Sequence, residues 1–242
     1  MPEPTLRWYL KIATEPVYTR ILLTTFEIGL IVTVCTLLLG YPVAFLMATA
    51  PPRRALAMLA LVMLPLLTSL LVRAYGWMVL LGRRGVVNET LLALGVIDEP
   101  LKLLYNRPGA VIGMVHVLLP FMILPLYSVM KGVDVQLLKA AQNLGASPRR
   151  AFASVYLPLT LPGITSGCLL VFVMAIGFFV TPALLGGRSD MMISMLIQNQ
   201  VQEVLSWEMA SALSVTLLAA TAVILTVYER LVGLDRLWGG DR

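Results

Sequence analysis

The chain has 242 residues, of which 59% are hydrophobic and only 13% are charged, and its mean hydropathy is +0.87. Soluble domains run near half apolar and a quarter charged, so this composition excludes a water-soluble globular domain and marks an all-α, polytopic membrane protein. The net charge of +5 suits basic membrane-flanking loops and does not by itself imply nucleic acid.

Residues 1–20 carry Trp8, Tyr9 and Tyr18 among charged side chains. They read as an interfacial lead-in, with aromatic rings at headgroup depth. A first span is expected over 21–48, longer than the roughly 20 residues a bilayer requires and too long for the apolar region of a signal peptide. Glu27 lies inside it. An intramembrane acid is a functional candidate by default; a position near the interface, where water reaches it, is the other reading.

Ala50-Pro51-Pro52-Arg53-Arg54 makes a tight basic turn. A second span is expected over 55–81, with Pro65 as a source of a kink. Toward its far end Arg73 stands beside Tyr75 and Trp77. This is either a snorkelling cation with aromatic anchors or a cation facing a pore. Residues 82–107 are mixed, and the apolar patches 90–94 and 101–104 suggest a small helix lying on the membrane. A third span follows over 108–130, with Pro120 and Pro125 in it. His116, the sole histidine, reads there as a helix-packing residue in preference to a proton relay.

The stretch from Lys131 to Ile164 is a long polar insertion between two apolar runs, and it has its own helical pattern. Asp134 can cap a helix start. Leu137, Leu138, Ala141 and Leu144 recur at helical spacing as one apolar face. Gly145 sits where a helix end calls for positive φ. Ser147-Pro148 restarts a helix with a capping hydroxyl and a proline at its first position. Pro158 and Pro162 are expected to stop regular helix before the next span. Such a tethered amphipathic hairpin suits docking into a groove on another protein, with a short helix lying on lipid as the alternative.

A fourth span is expected over 163–185. Gly163, Ser166, Gly167, Ala175 and Gly177 supply small residues for close helix packing in lipid. The run Gly177-Phe178-Phe179-Val180-Thr181-Pro182 breaks it near its far end. Residues 188–207 alternate polar and apolar as a second interfacial or re-entrant element. A fifth span is expected over 209–228, and residues 235–242 form a tail. Basic residues balance between the two sides, so charge alone does not orient the chain.

Little in the chain carries chemistry. Cys35 and Cys168 lie in apolar runs and make no disulfide framework or metal-ligand spacing. No Gly-Lys pair occurs, so there is no phosphate-binding loop with which to hydrolyse ATP. No nucleophile elbow or paired acid lies in a span, so a membrane-embedded enzyme is not expected, and neither is a bound cofactor or metal.

Lys139-Ala140-Ala141, three residues, Gly145, nine residues, Val155, one residue, Leu157-Pro158 resembles the EAA motif of ABC-importer permeases, E-A-A-x3-G-x9-I-x-L-P. The departures are Val155, which is conservative, and Lys139, where the family usually has an acid. The resemblance extends from about Tyr18 to Leu231. Leu39-Gly40-Tyr41-Pro42-Val43-Ala44, Val72-Arg73-Ala74-Tyr75-Gly76-Trp77, Leu118-Leu119-Pro120-Phe121-Met122-Ile123-Leu124-Pro125 and Val180-Thr181-Pro182-Ala183-Leu184-Leu185-Gly186-Gly187 look like the spermidine/putrescine-type permeases, most of all their first permease subunit. Members usually have six spans, and this chain carries the equivalents of the last five, starting in what would be the external segment after the first.

The resemblance implies a non-catalytic transmembrane domain over 21–234 in the bacterial inner membrane. The loop 131–162 and the tail would be cytoplasmic and the lead-in external. Partners would be ABC ATPase subunits, which bind the ATP, a second permease subunit, a periplasmic substrate-binding protein and membrane lipid, with no nucleic acid. Leu137, Leu138, Lys139, Ala140, Ala141, Leu144, Gly145, Leu157 and Pro158 would form the ATPase-coupling loop. Arg73, Tyr75, Trp77, Phe178, Phe179 and Thr181 are candidates for the translocation path. The implied solute is a polyamine such as spermidine or putrescine. Phe178 stands where polyamine permeases often carry an acid, so opines, amino-acid-like or other small organic solutes remain the alternative, with a secondary transporter more remote.

Overall fold

The computed structural model describes residues 6–232, and these are helical with no strand among them. The termini beyond them, including the tail 235–242, lie outside the described residues. The helices are α1 Arg7–Thr14, α2 Pro16–Thr49, α3 Pro52–Met63, α4 Leu70–Leu81, α5 Val86–Ala93, α6 Arg107–Lys131, α7 Gln136–Asn143, α8 Pro148–Ala151, α9 Leu157–Ile176, α10 Val180–Leu185, α11 Ile193–Gln202 and α12 Trp207–Val232. Four helices are long and apolar enough to cross a membrane: α2, α6, the continuous run Pro148–Ile176, and α12. A fifth crossing arises if α3 and α4, with the short helices next to them, are one bent segment.

The core is the mutual packing of α2, α6 and α9. Ile28, Val32, Ala44 and Met47 of α2 meet Met114, Leu118, Met122, Ile123, Leu126 and Met130 of α6. Tyr156 precedes α9, and Val171 and Ala175 of α9 close the third side. Gly163 and Gly167, four residues apart, sit against Leu126 and Met122 of α6 and let the two helices approach closely. Ser166 and Gly177 are exposed and take no part in that seam. A second cluster joins Ile193 and Leu196 of α11 with Met209 and Leu213 of α12, and Trp8 and Ile12 of α1 pack against it. The lead-in is therefore a docked helix.

Three expectations change. The first apolar run becomes helix at Pro16, a residue suited to a first helical position, and stays helical through Pro42 to Thr49. The second run is no straight span over 55–81: α3 passes into a 3₁₀ turn, Leu64–Leu67, and α4 leaves at 96° to it. Pro65 cannot donate to the helix, and the Thr68 hydroxyl donates to the Pro65 carbonyl at 2.8 Å as the chain turns.

In the fourth run, Pro158 and Pro162 do not stop the helix. The chain stays helical from Pro148 to Ile176 by widening to a π turn at Phe152–Tyr156, where the Leu157 N–H reaches back to the Phe152 carbonyl. This wider ladder precedes the prolines and puts Pro158 in the first turn of α9, where its missing N–H costs least. The helix then ends at Ile176, and α10 is separate.

Candidate functional site

Two regions hold the residues singled out by sequence. The first is the elbow after α6. The Asp134 carboxylate accepts from the Gln136 N–H at 2.9 Å and starts α7. α7 ends in a paired set of backbone bonds, Gly145 N–H to the Gln142 carbonyl at 2.9 Å and Ala146 N–H to the Ala141 carbonyl at 3.0 Å. These are the two bonds of a Schellman closure, and they require Gly145 at φ +90°. The Ser147 hydroxyl accepts from the Arg150 N–H at 3.4 Å, and Pro148 opens α8.

The expected single apolar face is split. Leu138 and Ala141, three residues apart, turn half-buried onto the chain's own body, where Leu138 joins the main core. Leu137 and Leu144, seven apart, form a second stripe facing outward, 45% and 90% exposed. Lys139, Ala140 and Gly145 are exposed as well. Leu157 and Pro158 are exposed on α9, while Tyr156 and Thr160 beside them are buried.

What ties the elbow to the core is an aromatic cluster that sequence reading missed. Tyr41 and Phe45 of α2 meet Phe152 and Tyr156 of the π turn. Phe45 meets Tyr156 edge-on at 5.2 Å, and Tyr41 and Phe45 each meet Phe152 edge-on at 6.1 Å. Phe152 stacks on Tyr156 at 5.6 Å. The Tyr41 hydroxyl lies 2.9 Å from that of Thr160. The legible signal was the spacing, since each pair is four residues apart and shares a helix face.

The second region is the junction of α4, α6 and α10, which pack on one another. The Trp77 indole N–H donates to His116 Nδ1 at 3.1 Å, so the histidine is satisfied by helix packing. One turn away, Arg73 has its Nε and Nη1 shut off from solvent with no partner among the described residues. Thr181 of α10 is buried, and its hydroxyl is likewise unpartnered. Gly113 of α6 faces Thr181 and Leu185. Tyr75 is exposed, away from Trp77. Phe178 packs on the main core, and its carbonyl accepts from the Ser194 hydroxyl at 2.7 Å. Phe179 is half-buried at the break before α10. The structure thus brings Arg73, Trp77 and Thr181 onto packed elements and leaves Tyr75 apart from them. An apolar cleft of ≈ 260 Å³ lies beside His116, lined by Val43, Leu61, Val62, Pro65, Leu119, Pro120 and Ile123.

At the far end of α6 from the elbow, Glu27 is exposed and pairs with Arg107 at 2.5 Å. Arg107 also donates through Nε to the buried Asp190 at 3.2 Å. In α5, between α4 and α6, Asn88 is buried and bonded through both its amide nitrogen and its oxygen. It donates to the carbonyls of Gly82 and Leu101 and accepts from the Leu101 N–H at 2.9 Å. Among the described residues no group of histidine, cysteine or acidic side chains could hold a metal ion.

Residues 29–234 match the family described as the binding-protein-dependent transport system inner membrane component. The chain is 40% identical over 216 residues to the spermidine/putrescine transport system permease protein PotB of Escherichia coli (strain K12), across 89% of this chain and 78% of that protein. It is 32% identical to the inner membrane ABC transporter permease protein YdcU of the same organism, across 98% of this chain and 79% of that one. Among solved structures, a bacterial ABC transporter involved in the import of the acidic polysaccharide alginate superposes with a TM-score of 0.67 at 18% identity. That match covers 96% of this chain and 85% of the other, and carries the fold alone.

Proposed function

The chain belongs to the family of binding-protein-dependent transport system inner membrane components, and from that premise we propose that it carries a polyamine such as spermidine or putrescine through an ABC importer. As a member it is a multi-pass inner-membrane permease subunit and a non-catalytic transport component. An ATPase subunit and a substrate-binding protein complete such an importer. The observation that carries the substrate is the 40% identity to the PotB protein over nearly the whole chain.

The elbow 131–162 is cytoplasmic in this reading, as is the tail 235–242, and residues 82–106 face outside. α6 separates the two ends by roughly 37 Å at 1.5 Å per residue. The elbow inserts into an ATPase, with Leu137 and Leu144 as its outward apolar contacts. The Schellman closure at Gly145 and the aromatic cluster hold it rigid, so movement of the ATPases is passed to α2 and α9 as a lever motion. A second, related permease completes the pore, with Arg73, Trp77, Phe179 and Thr181 toward the path.

A second solute class has one observation in its favour. Arg73 offers buried donors with no partner among the described residues, which suits a carboxylate-bearing solute better than a polyamine. The test is uptake by proteoliposomes holding the chain with its co-purified permease, ATPase and binding protein. ATP-dependent uptake of labelled spermidine, competed by putrescine, is expected. Competition only by opine-like or amino-acid-like compounds would move the assignment to the second class.

A further inference from the structure

The outward side of α7 and α8 carries a charge pattern that the docking reading does not use. Lys139, Arg149 and Arg150 are exposed, and none makes an ion pair among the described residues. Lys131 precedes them, its ammonium held 5.9 Å from the Tyr127 ring. Asp134 is the single acid of the elbow, and its carboxylate caps α7. Leu144, 90% exposed, lies along the chain between Lys139 and the Arg149-Arg150 pair.

We infer that the elbow's partner groove has an apolar floor for Leu144 and Leu137 and an acidic rim that pairs with Lys139, Arg149 and Arg150. The inference rests on the reading of the elbow as the ATPase-docking element and specifies the chemistry of that surface. Exposed basic side chains around an apolar tip steer a partner of opposite charge and penalise one of like charge.

Anionic lipid is the other source of negative charge next to a membrane. The fold disfavours it for this face. A helix lying on lipid turns its apolar side to the bilayer, whereas Leu138 and Ala141 are turned onto the chain's own body. The outward side then presents Leu137 and Leu144 as a narrow apolar stripe among the exposed Gln136, Lys139, Ala140 and Asn143, which is less apolar surface than a helix lying on lipid turns to the bilayer.

The test measures binding of the purified cognate ATPase to the nanodisc-embedded permease pair at low and high salt. Wild type should lose about tenfold in affinity between 50 and 500 mM salt, mostly in association rate. Lys139→Glu with Arg149→Glu should weaken binding about tenfold at low salt and flatten the salt dependence, while Leu144→Ala should weaken it equally at both. Charge-reversed protein that binds with unchanged affinity and salt slope would overturn the acidic rim, and if Leu144→Ala still weakened binding, the docking reading would survive. If neither change mattered, both would fall. Loss of salt dependence seen only in discs containing anionic lipid, and absent in neutral discs, would assign the cations to lipid and overturn the inference.

Discussion

The Phe45 ring meets the Tyr156 ring edge-on at 5.2 Å, joining the long helix α2 to the π turn that leads out of the elbow. Phe45→Leu removes this contact and the one to Phe152. A loss of about 1–3 kcal/mol is expected, since each aromatic pair contributes roughly 0.5–1.5 kcal/mol beyond area. Thermal unfolding of the purified protein should register it, and uptake should fall while ATPase binding persists, because the lever is loosened and not removed.

Tyr156→Phe should behave oppositely. The Tyr156 hydroxyl is enclosed and has no partner among the described residues, and a buried hydroxyl without a hydrogen bond costs roughly 1–3 kcal/mol. Removing it keeps the ring and its stacking. The variant should unfold at the same temperature as wild type or higher; a lower one would reveal a bond to the hydroxyl.

Gly145→Val should abolish uptake. Only the residue's φ of +90° stands against it, because an added Cβ would meet open space. A β-branched side chain in that region costs about 1–3 kcal/mol and breaks the Schellman closure. Gly145→Asn, which accepts left-handed backbone far better, should retain a good part of the activity. Equal loss in both would point to a need for space in the partner groove.

Arg107→Ala leaves the buried carboxylate of Asp190 without its guanidinium. Losing a hydrogen bond to a charged group costs roughly 1.5–3 kcal/mol. Adding Asp190→Asn removes the stranded charge and should recover part of the stability. A double-mutant cycle read by thermal unfolding gives the coupling directly; strict additivity would show that the pair contributes nothing beyond packing.

The long apolar helices were legible from hydropathy, and the elbow from Asp134, Gly145 and Ser147-Pro148, because capping and positive-φ chemistry is local. Glu27 stood out as a lone acid in an apolar run, but its pairing with Arg107, 80 residues away, was not legible. What sequence missed depends on three-dimensional packing. The split of Leu137 and Leu144 from Leu138 and Ala141 follows from which side of α7 the main core occupies. The right-angled break after Pro65 and the continuity through Pro158 are both proline effects with opposite outcomes. In the first, the chain turns on Thr68; in the second, the π turn shifts the hydrogen-bond ladder so that Pro158 falls in a first turn.

Gly167→Leu should part α6 from α9. A Cβ there would lie 2.9 Å from the Met122 sulfur and 3.3 Å from its carbonyl oxygen. Overpacking of this kind costs about 1–3 kcal/mol, and in lipid such close seams are a main source of helix association. A drop in thermal stability and in yield from membranes is expected, whereas Ser166→Leu, one residue away and exposed, should leave both unchanged.

The most direct measurement is cysteine cross-linking in the assembled transporter in membranes, with Cys35 and Cys168 replaced by serine. A cysteine at Leu144, the exposed tip of the elbow, should cross-link to the ATPase. One at Leu94, 71% exposed in the loop that leads into the start of α6, should not. An ATPase adduct from Leu94→Cys and none from Leu144→Cys would contradict the assignment of the elbow as the coupling element.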